Sequence, residues 1–259
     1  MIWCTVAALG SGGLVGLSLG LIGGGGSILA TPLLLYVVGV SQPHVAIGTG
    51  ALAVSANAYA NLIGHARLGN VRWPWAMVFA IFGTIGALTG STAGKAVNGE
   101  RLLFLFGILM LVVGAAMLGP RKATAAAELK PDARSCAFTA LVAFVVGIAS
   151  GFFGIGGGFL IVPGLILATG MPTINAVGSS LLAVGSFGLA TAVNYTLSGL
   201  VDWEVAAEFI AGGVVGGVSG SALANRLAGS KSSLDRAFVA IIFVVAVYIL
   251  CRSGRSLFS

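Results

Sequence analysis

Two stretches of this chain are suited to bind a ligand with backbone rather than with side chains. Residues 20–32 read Gly20-Leu-Ile-Gly23-Gly24-Gly25-Gly26-Ser27-Ile-Leu-Ala-Thr-Pro32, and residues 151–163 read Gly151-Phe-Phe-Gly154-Ile-Gly156-Gly157-Gly158-Phe-Leu-Ile-Val-Pro163. Glycine is about 1 kcal/mol worse than alanine inside a helix, yet both runs sit within apolar sequence. Backbone groups released there must be satisfied by protein, water or ligand when the surroundings are lipid. The N–H groups of a glycine run can line a concavity, and the helices that follow begin at Ser27 and Gly158. A helix start carries roughly half a positive charge and several unpaired donors. Two such starts facing each other would hold a small anion without a buried Lys or Arg. The plainer alternative is close helix packing on small residues. That alternative suits the stripes Gly86/Gly90/Gly94 and Gly212/Gly216/Gly220. Runs of adjacent glycines exceed what packing needs.

Intramembrane polar residues are the second group. Thr49, Ser55, Asn57 and Asn61 share one apolar segment, and Ser179, Ser180, Ser186, Thr191 and Asn194 share another. Such groups line a polar path or act as helix glue worth about 0.6 kcal/mol each. Thr49 and Ser179 each follow the glycine of an Ala-x-Gly, which singles them out among the hydroxyls. The substrate-binding candidates are therefore Gly23, Gly24, Gly25, Gly26, Ser27, Thr49, Ser55, Asn57, Gly154, Gly156, Gly157, Gly158, Ser179, Ser180 and Asn194.

Other chemistries are not written in the chain. Gly23-Gly-Gly-Gly-Ser lacks the Gly-Lys-Ser/Thr ending of a phosphate loop, and the second run lacks the dinucleotide fingerprint. No Ser-His-Asp, HExxH or Cys-His pattern is present, so no catalytic site, metal site or cofactor is expected. Cys4, Cys136 and Cys251 are far apart and without ligand spacing. His44 and His65 lie near the ends of apolar segments, where a histidine is an ordinary interfacial residue or a proton relay. The acidic residues also lie near such ends, and no intramembrane carboxylate pair is visible.

The elements that must position these residues follow from composition. Hydrophobic residues make up 58% of the 259 and charged residues 8%, against roughly a quarter charged in an average globular chain. The chain is a polytopic all-α membrane protein with room for about eight helices of about 20 residues each. Its charge of +6 is spread through the gaps between apolar runs. That is the placement of topology determinants, not of a nucleic-acid surface. The one long polar segment, 120–135, separates a first transmembrane repeat at 1–119 from a second at 136–259.

The two halves align. Gly16, Gly20, Gly23, Pro32 and Gly39 fall on Gly147, Gly151, Gly154, Pro163 and Gly170, 131 residues on. After one residue is dropped, Ala46, Gly48, Gly69, Val71, Trp73, Gly86 and Gly90 fall on Ala176, Gly178, Gly199, Val201, Trp203, Gly216 and Gly220. If each glycine run merely kinks a span, the halves are parallel. If it is the tip of a re-entrant hairpin, they are inverted. Inversion gathers Arg67, Arg72, Arg121, Lys122, Lys130, Arg134, Arg226, Lys231 and Arg236 on one side, which the positive-inside rule favours. The glycine stripes could bury within the chain or against a second protomer, and a homodimer is the expectation.

The chain resembles the TauE/SafE family of sulfite exporters and sulfonate permeases over nearly its whole length. The resemblance rests on the duplicated Gly-Leu/Phe-x-Gly-x-Gly-Gly-x-x-Leu-x-x-Pro, on Ala-x-Gly-Thr/Ser at 46–49 and 176–179, and on Gly-x-Val-x-Trp at 69–73 and 199–203. It implies a multi-pass transporter of the inner cell membrane, acting on small sulfur-containing anions or organic acids. A carrier working by alternating access and an anion channel on the same repeats both remain open. Substrate, direction and coupling ion differ among members and do not carry over.

Overall fold

The computed structural model describes residues 2–118, 132–154, 158–226, 240 and 242–253. The regular structure among them is helical throughout. In chain order it is α1 (Ile2–Ile22), a 3-10 segment (Gly23–Leu29), α2 (Ala30–Leu33) with a π turn (Leu34–Val38), α3 (Pro43–Arg67), α4 (Trp73–Ala96) and α5 (Gly99–Leu118). Then come α6 (Ala133–Phe153), α7 (Gly158–Thr169), α8 (Thr173–Thr196), α9 (Trp203–Arg226) and a last apolar helix, α10 (Ile242–Ser253). Most of the polar linker lies outside the described residues. Its end, Asp132, forms a capping box with Ser135 that starts α6.

Among the described residues four helical stretches are long and apolar enough to cross a membrane by themselves: Trp3–Leu21, Trp73–Ala96, Ala133–Phe153 and Thr173–Thr196. Helix α3 has 25 residues and is about 37 Å long, so length is not what sets it apart. Its polar residues lower its hydropathy, and they are packed inward. With 12 residues, α7 reaches only about 18 Å, short of a hydrocarbon core of about 30 Å.

Glycine decides which helices touch. Gly12, Gly16 and Gly20 of α1 press on Phe209, Gly213 and Gly217 of α9, and Gly212, Gly216 and Gly220 of α9 press back on Leu9, Gly13 and Leu17. A Cβ at any of these positions would overlap the partner's backbone. Such approach gains dispersion and Cα–H···O contacts where lipid supplies no hydrophobic drive. Partner numbers rise together, so α1 and α9 run parallel. Gly86, Gly90 and Gly94 of α4 meet Phe144, Ile148 and Phe152 of α6 in the same way, while Gly147 and Gly151 of α6 meet Gly83 and Ala87. The glycine stripes of α4 and α9 are thus buried inside the chain.

Helix α3 joins the first pair, with Asn57 on Gly213 and Asn61 on Gly217. Helix α8 joins the second, with Phe187 on Gly83 and Asn194 bonded to Ser91 and Thr92. Both join in parallel. Between the two groups α3 and α8 run antiparallel: Gly48 lies beside Tyr195, Gly188 beside Ala51, and Ser55 bonds to Gly185. Helices α1, α3 and α9 therefore point one way, and α4, α6 and α8 the other.

The two triplets share their details. Gly16 on Gly213 has its counterpart in Gly147 on Gly83. Helices α3 and α8 both end in a left-handed glycine, Gly69 (φ 70°) and Gly199 (φ 69°). After them Asn70 N–H bonds to His65 and Leu200 N–H to Tyr195, each at 3.0 Å. A side chain at either glycine would strain the turn, and the antiparallel α3–α8 contact places the two turns at opposite ends of the molecule.

Candidate functional site

The first glycine run does not continue α1. Gly26 packs against Ser18 and Leu19, so the 3-10 segment folds back along the end of α1. Beyond it, α2 and the π turn pass the first third of α3, where a Cβ on Gly50 would lie 3.2 Å from Leu34 and 3.8 Å from Ala30 and Thr31. Ser27, in that segment, is fully buried. The segment lies against α7 and α8 of the other half. Gly23, Gly24 and Gly25 all lie in the 3-10 turn. In the second half Gly154 closes α6 with a left-handed φ of 65°, donates to Gly151 at 3.1 Å and rests on Ile47 of α3. Gly156 and Gly157 lie outside the described residues. Gly158 is buried and starts α7.

Most candidate hydroxyls are already engaged by protein. Thr49 Oγ1 accepts from Asp202 N–H at 2.9 Å, and Ser179 Oγ accepts from Arg72 N–H at 2.8 Å. Each ties the second turn of one helix of a triplet to the residue just before another helix of the same triplet. Ser55 Oγ donates to Gly185 O at 2.6 Å across the α3–α8 contact. Ser180 Oγ donates to Val177 O at 2.7 Å within α8. Asn194 uses both ends of its amide: Oδ1 accepts from Lys95 at 2.7 Å, and Nδ2 donates to Ser91 at 2.6 Å and Thr92 at 3.0 Å.

Asn57 is the exception. It is 0% exposed, and neither amide atom has a hydrogen-bond partner. One turn on, Asn61 Nδ2 donates to Asn57 O at 2.9 Å. One turn further lies His65, 4% exposed, its ring against the Gly20 backbone of α1 but outside good hydrogen-bonding geometry at either nitrogen. The expectation of an interfacial His65 does not hold, because the last turn of α3 is tucked against the backbone of Gly20 in α1. Its signal was present in the sequence: 57, 61 and 65 are spaced by four and share one helical face. The equivalent positions of α8 carry Phe187, Thr191 and Tyr195. One seam carries two amides and an imidazole, the other a phenyl ring and two hydroxyls, and the hydroxyls of Thr191 and Tyr195 are also buried without a partner.

An open groove between α6 and α7 is lined by apolar side chains, among them Leu141, Val145, Leu160, Pro163 and Leu167. It offers no donor to an anion. Among the described residues no group of three His, Cys, Asp or Glu could hold a metal ion.

Long apolar helices packed closely on glycine, with polar groups turned inward, define a helical membrane protein. The chain belongs to the family described as Sulfite exporter TauE/SafE, which matches residues 8–249. It is 60% identical over 253 residues to a probable membrane transporter protein of Xylella fastidiosa (strain 9a5c), covering 97% of each chain. It is 28% identical to the probable membrane transporter protein YunE of Bacillus subtilis (strain 168), over 90% of each. A probable membrane transporter protein of Haemophilus influenzae is 24% identical, over 91% of this chain and 94% of that one. No solved structure matches the chain significantly. By family, the protein is a membrane transporter.

Proposed function

We propose that the chain is a secondary carrier of a small anion, a sulfur oxyanion, organosulfonate or related organic acid, which it moves across the inner cell membrane by alternating access. The carrying observation is the pair of oppositely directed triplets. Each helix of one has its counterpart, 130 or 131 residues away, in the other, which supports reading the halves as inverted repeats. Inverted repeats place a substrate at their interface, bounded by broken helices. Here that interface holds the α3–α8 contact and the folded-back 3-10 segment lying against α7.

The glycine contacts make each triplet a stiff unit. The contact between triplets is made by fewer close glycine approaches and by single hydrogen bonds such as Ser55 to Gly185. Rocking of one triplet against the other would open the glycine-run region to each side in turn. The anion would be held by backbone N–H groups at Gly23–Leu29 and near Gly158, with Ser27 and Asn57 as the side chains closest to that role.

Counterflow in proteoliposomes tests the carrier. Thiosulfate, sulfate, sulfite, sulfoacetate and short carboxylates are each loaded inside, and labelled anion is supplied outside. Trans-stimulated exchange of at least one of them is the expected result. Uptake that follows the gradient without trans-stimulation would identify a channel instead.

A further inference from the structure

We propose that His65, with Asn61 and Asn57 behind it, is the proton-binding site of the transporter, and that the anion moves together with one proton. The inference rests on the anion-carrier reading and adds the coupling ion to it.

Three observations lead there. First, buried polar atoms without partners cost about 1–3 kcal/mol each. Asn57 has two such atoms, and neither ring nitrogen of His65 has a partner of good geometry although the ring lies on the Gly20 backbone, at residues 0% and 4% exposed. All lie on one face of α3, against the glycines of α1 and α9. A seam of this kind persists when water or a proton completes it. Second, the equivalent seam of the other triplet carries Phe187, Thr191 and Tyr195; its two hydroxyls are also buried without partners, but it has no group that changes charge near neutral pH, so packing alone does not require an imidazole there. Third, His65 lies on Gly20, three residues before the first glycine run. A charge placed there adjoins the start of the first glycine run, which has no Lys or Arg of its own; the second run, with Gly154 on Ile47, lies toward the other end of α3.

Among the described residues the surrounding titratable groups leave His65 alone in this role. On α1 the only one is Cys4, at the far end. On α9, Glu204 and Glu208 are at the far end, and Arg226 closes the near end. On antiparallel α8 the only one is Tyr195, at the opposite end of the molecule. The 3-10 segment and α2 have none, and the π turn carries Tyr36. Helix α5 carries Glu100 and Arg101 in its first turns. On α3 itself, His44 opens the helix, Tyr59 faces Ser186 at 3.2 Å, and Arg67 is exposed beyond His65.

The step is simple in atoms. Neutral imidazole has one N–H and one lone pair. It takes a proton on that lone pair from water at one side, becoming imidazolium with two N–H donors. The anion binds beside this positive charge. After the triplets rock, the anion leaves, and the proton passes from the same ring nitrogen to water on the other side. One proton crosses per turnover, and His65 ends neutral.

The test uses the full chain in lipid nanodiscs and proteoliposomes, with thiosulfate, sulfate and ethanesulfonate as probes, because none of them titrates near neutral pH. Wild type should bind and take up at least one of them about tenfold more strongly near pH 6 than near pH 8, the range in which histidine changes charge. His65→Gln keeps the size and polarity of the side chain, and should reduce that ratio to less than about twofold. Since the chain has 2 histidines, His44→Asn leaves His65 as the sole imidazole. Its 15N spectrum should then show proton uptake when anion is added. A pH ratio unchanged in His65→Gln, or an imidazole in the His44→Asn protein that takes up no proton with anion, overturns the proton site while leaving the carrier intact. If no probe binds to wild type at either pH while His65 still titrates, the anion reading falls and proton coupling to anion falls with it. His65→Gln that fails to fold would not rescue the proposal, since the spectrum of His65 in the His44→Asn protein decides it alone.

Discussion

Lys95 Nζ donates to Asn194 Oδ1 at 2.7 Å, and so binds the end of α4 to the end of α8. The same ammonium donates to Asn194 O at 3.0 Å and Ser198 Oγ at 2.8 Å, and lies 5.9 Å from the centre of the Tyr195 ring. All three of its protons are used. No equal clamp can form in the other triplet, because the positions matching Asn194 and Ser198 are Gly64 and Leu68. Lys95→Ala should therefore loosen one triplet only. Lys95 is partly exposed, so the loss is about 1–2 kcal/mol, seen as a lower thermal unfolding midpoint in mild detergent. Asn194→Ala should lower it further, since Ser91 and Thr92 then lose a partner as well. An unchanged midpoint in both variants would show that the clamp is absent in the membrane.

Thr49 and Ser179 do equal work at opposite ends, each accepting one backbone N–H from the residue just before another helix of its triplet. Thr49→Val and Ser179→Ala should each destabilise by about 1 kcal/mol. Because the two sites share no partner, the double variant should lose the sum. Thermal or denaturant unfolding of the three proteins checks this. Strong non-additivity would mean that the two ends communicate. Both residues were substrate candidates in the sequence. Their alignment marked them correctly as equivalent, but equivalence alone does not separate a ligand contact from a helix tie.

That case shows what the sequence could and could not carry. Glycine spacing in α4 and α9 marked close-packing faces, and the structure puts backbone against both. Which helix each face meets was not readable, because a small-residue stripe has no partner code. The polar residues of α3 were visible as a set, but their inward direction depends on the positions of α1 and α9. His65 was misplaced for that reason. Its nearness to the end of the apolar run suggested an interface, whereas the helix carries it into contact with Gly20. The Lys95 clamp joins residues 99 apart in sequence, beyond any local pattern.

Topology follows from the triplets and the basic residues together. The connections after α3 and α9 and the linker before α6 should share one side, with Arg67, Arg72, Arg121, Lys122, Lys130, Arg134 and Arg226 in them or at the helix ends beside them. By the positive-inside rule that side is the cytoplasm. After removal of the three native cysteines, Ala126→Cys should react with an impermeant maleimide only after lysis. Ser259→Cys should react in intact cells. Labelling of Ser259→Cys only after lysis would rule out the inverted arrangement.

The last prediction separates binding from packing within the glycine runs themselves. A Cβ on Gly26 would lie 2.5 Å from Leu19 N and 2.6 Å from Ser18 Cβ. A Cβ on Gly216 would overlap Gly13 O of α1. Neither neighbour is the free end of a flexible side chain, so the helices must part, at about 1–3 kcal/mol. Gly26→Ala and Gly216→Ala should therefore lose monodisperse yield together, and lose anion binding only in step with it. Gly25→Ala tests the other role. If the N–H groups of the 3-10 turn hold the anion, an added methyl group there blocks the ligand while the fold survives. Size-exclusion profiles and thiosulfate binding per folded molecule are measured for all three. Normal binding by folded Gly25→Ala would remove the first glycine run from the site, and Asn57 would then be the residue to change next.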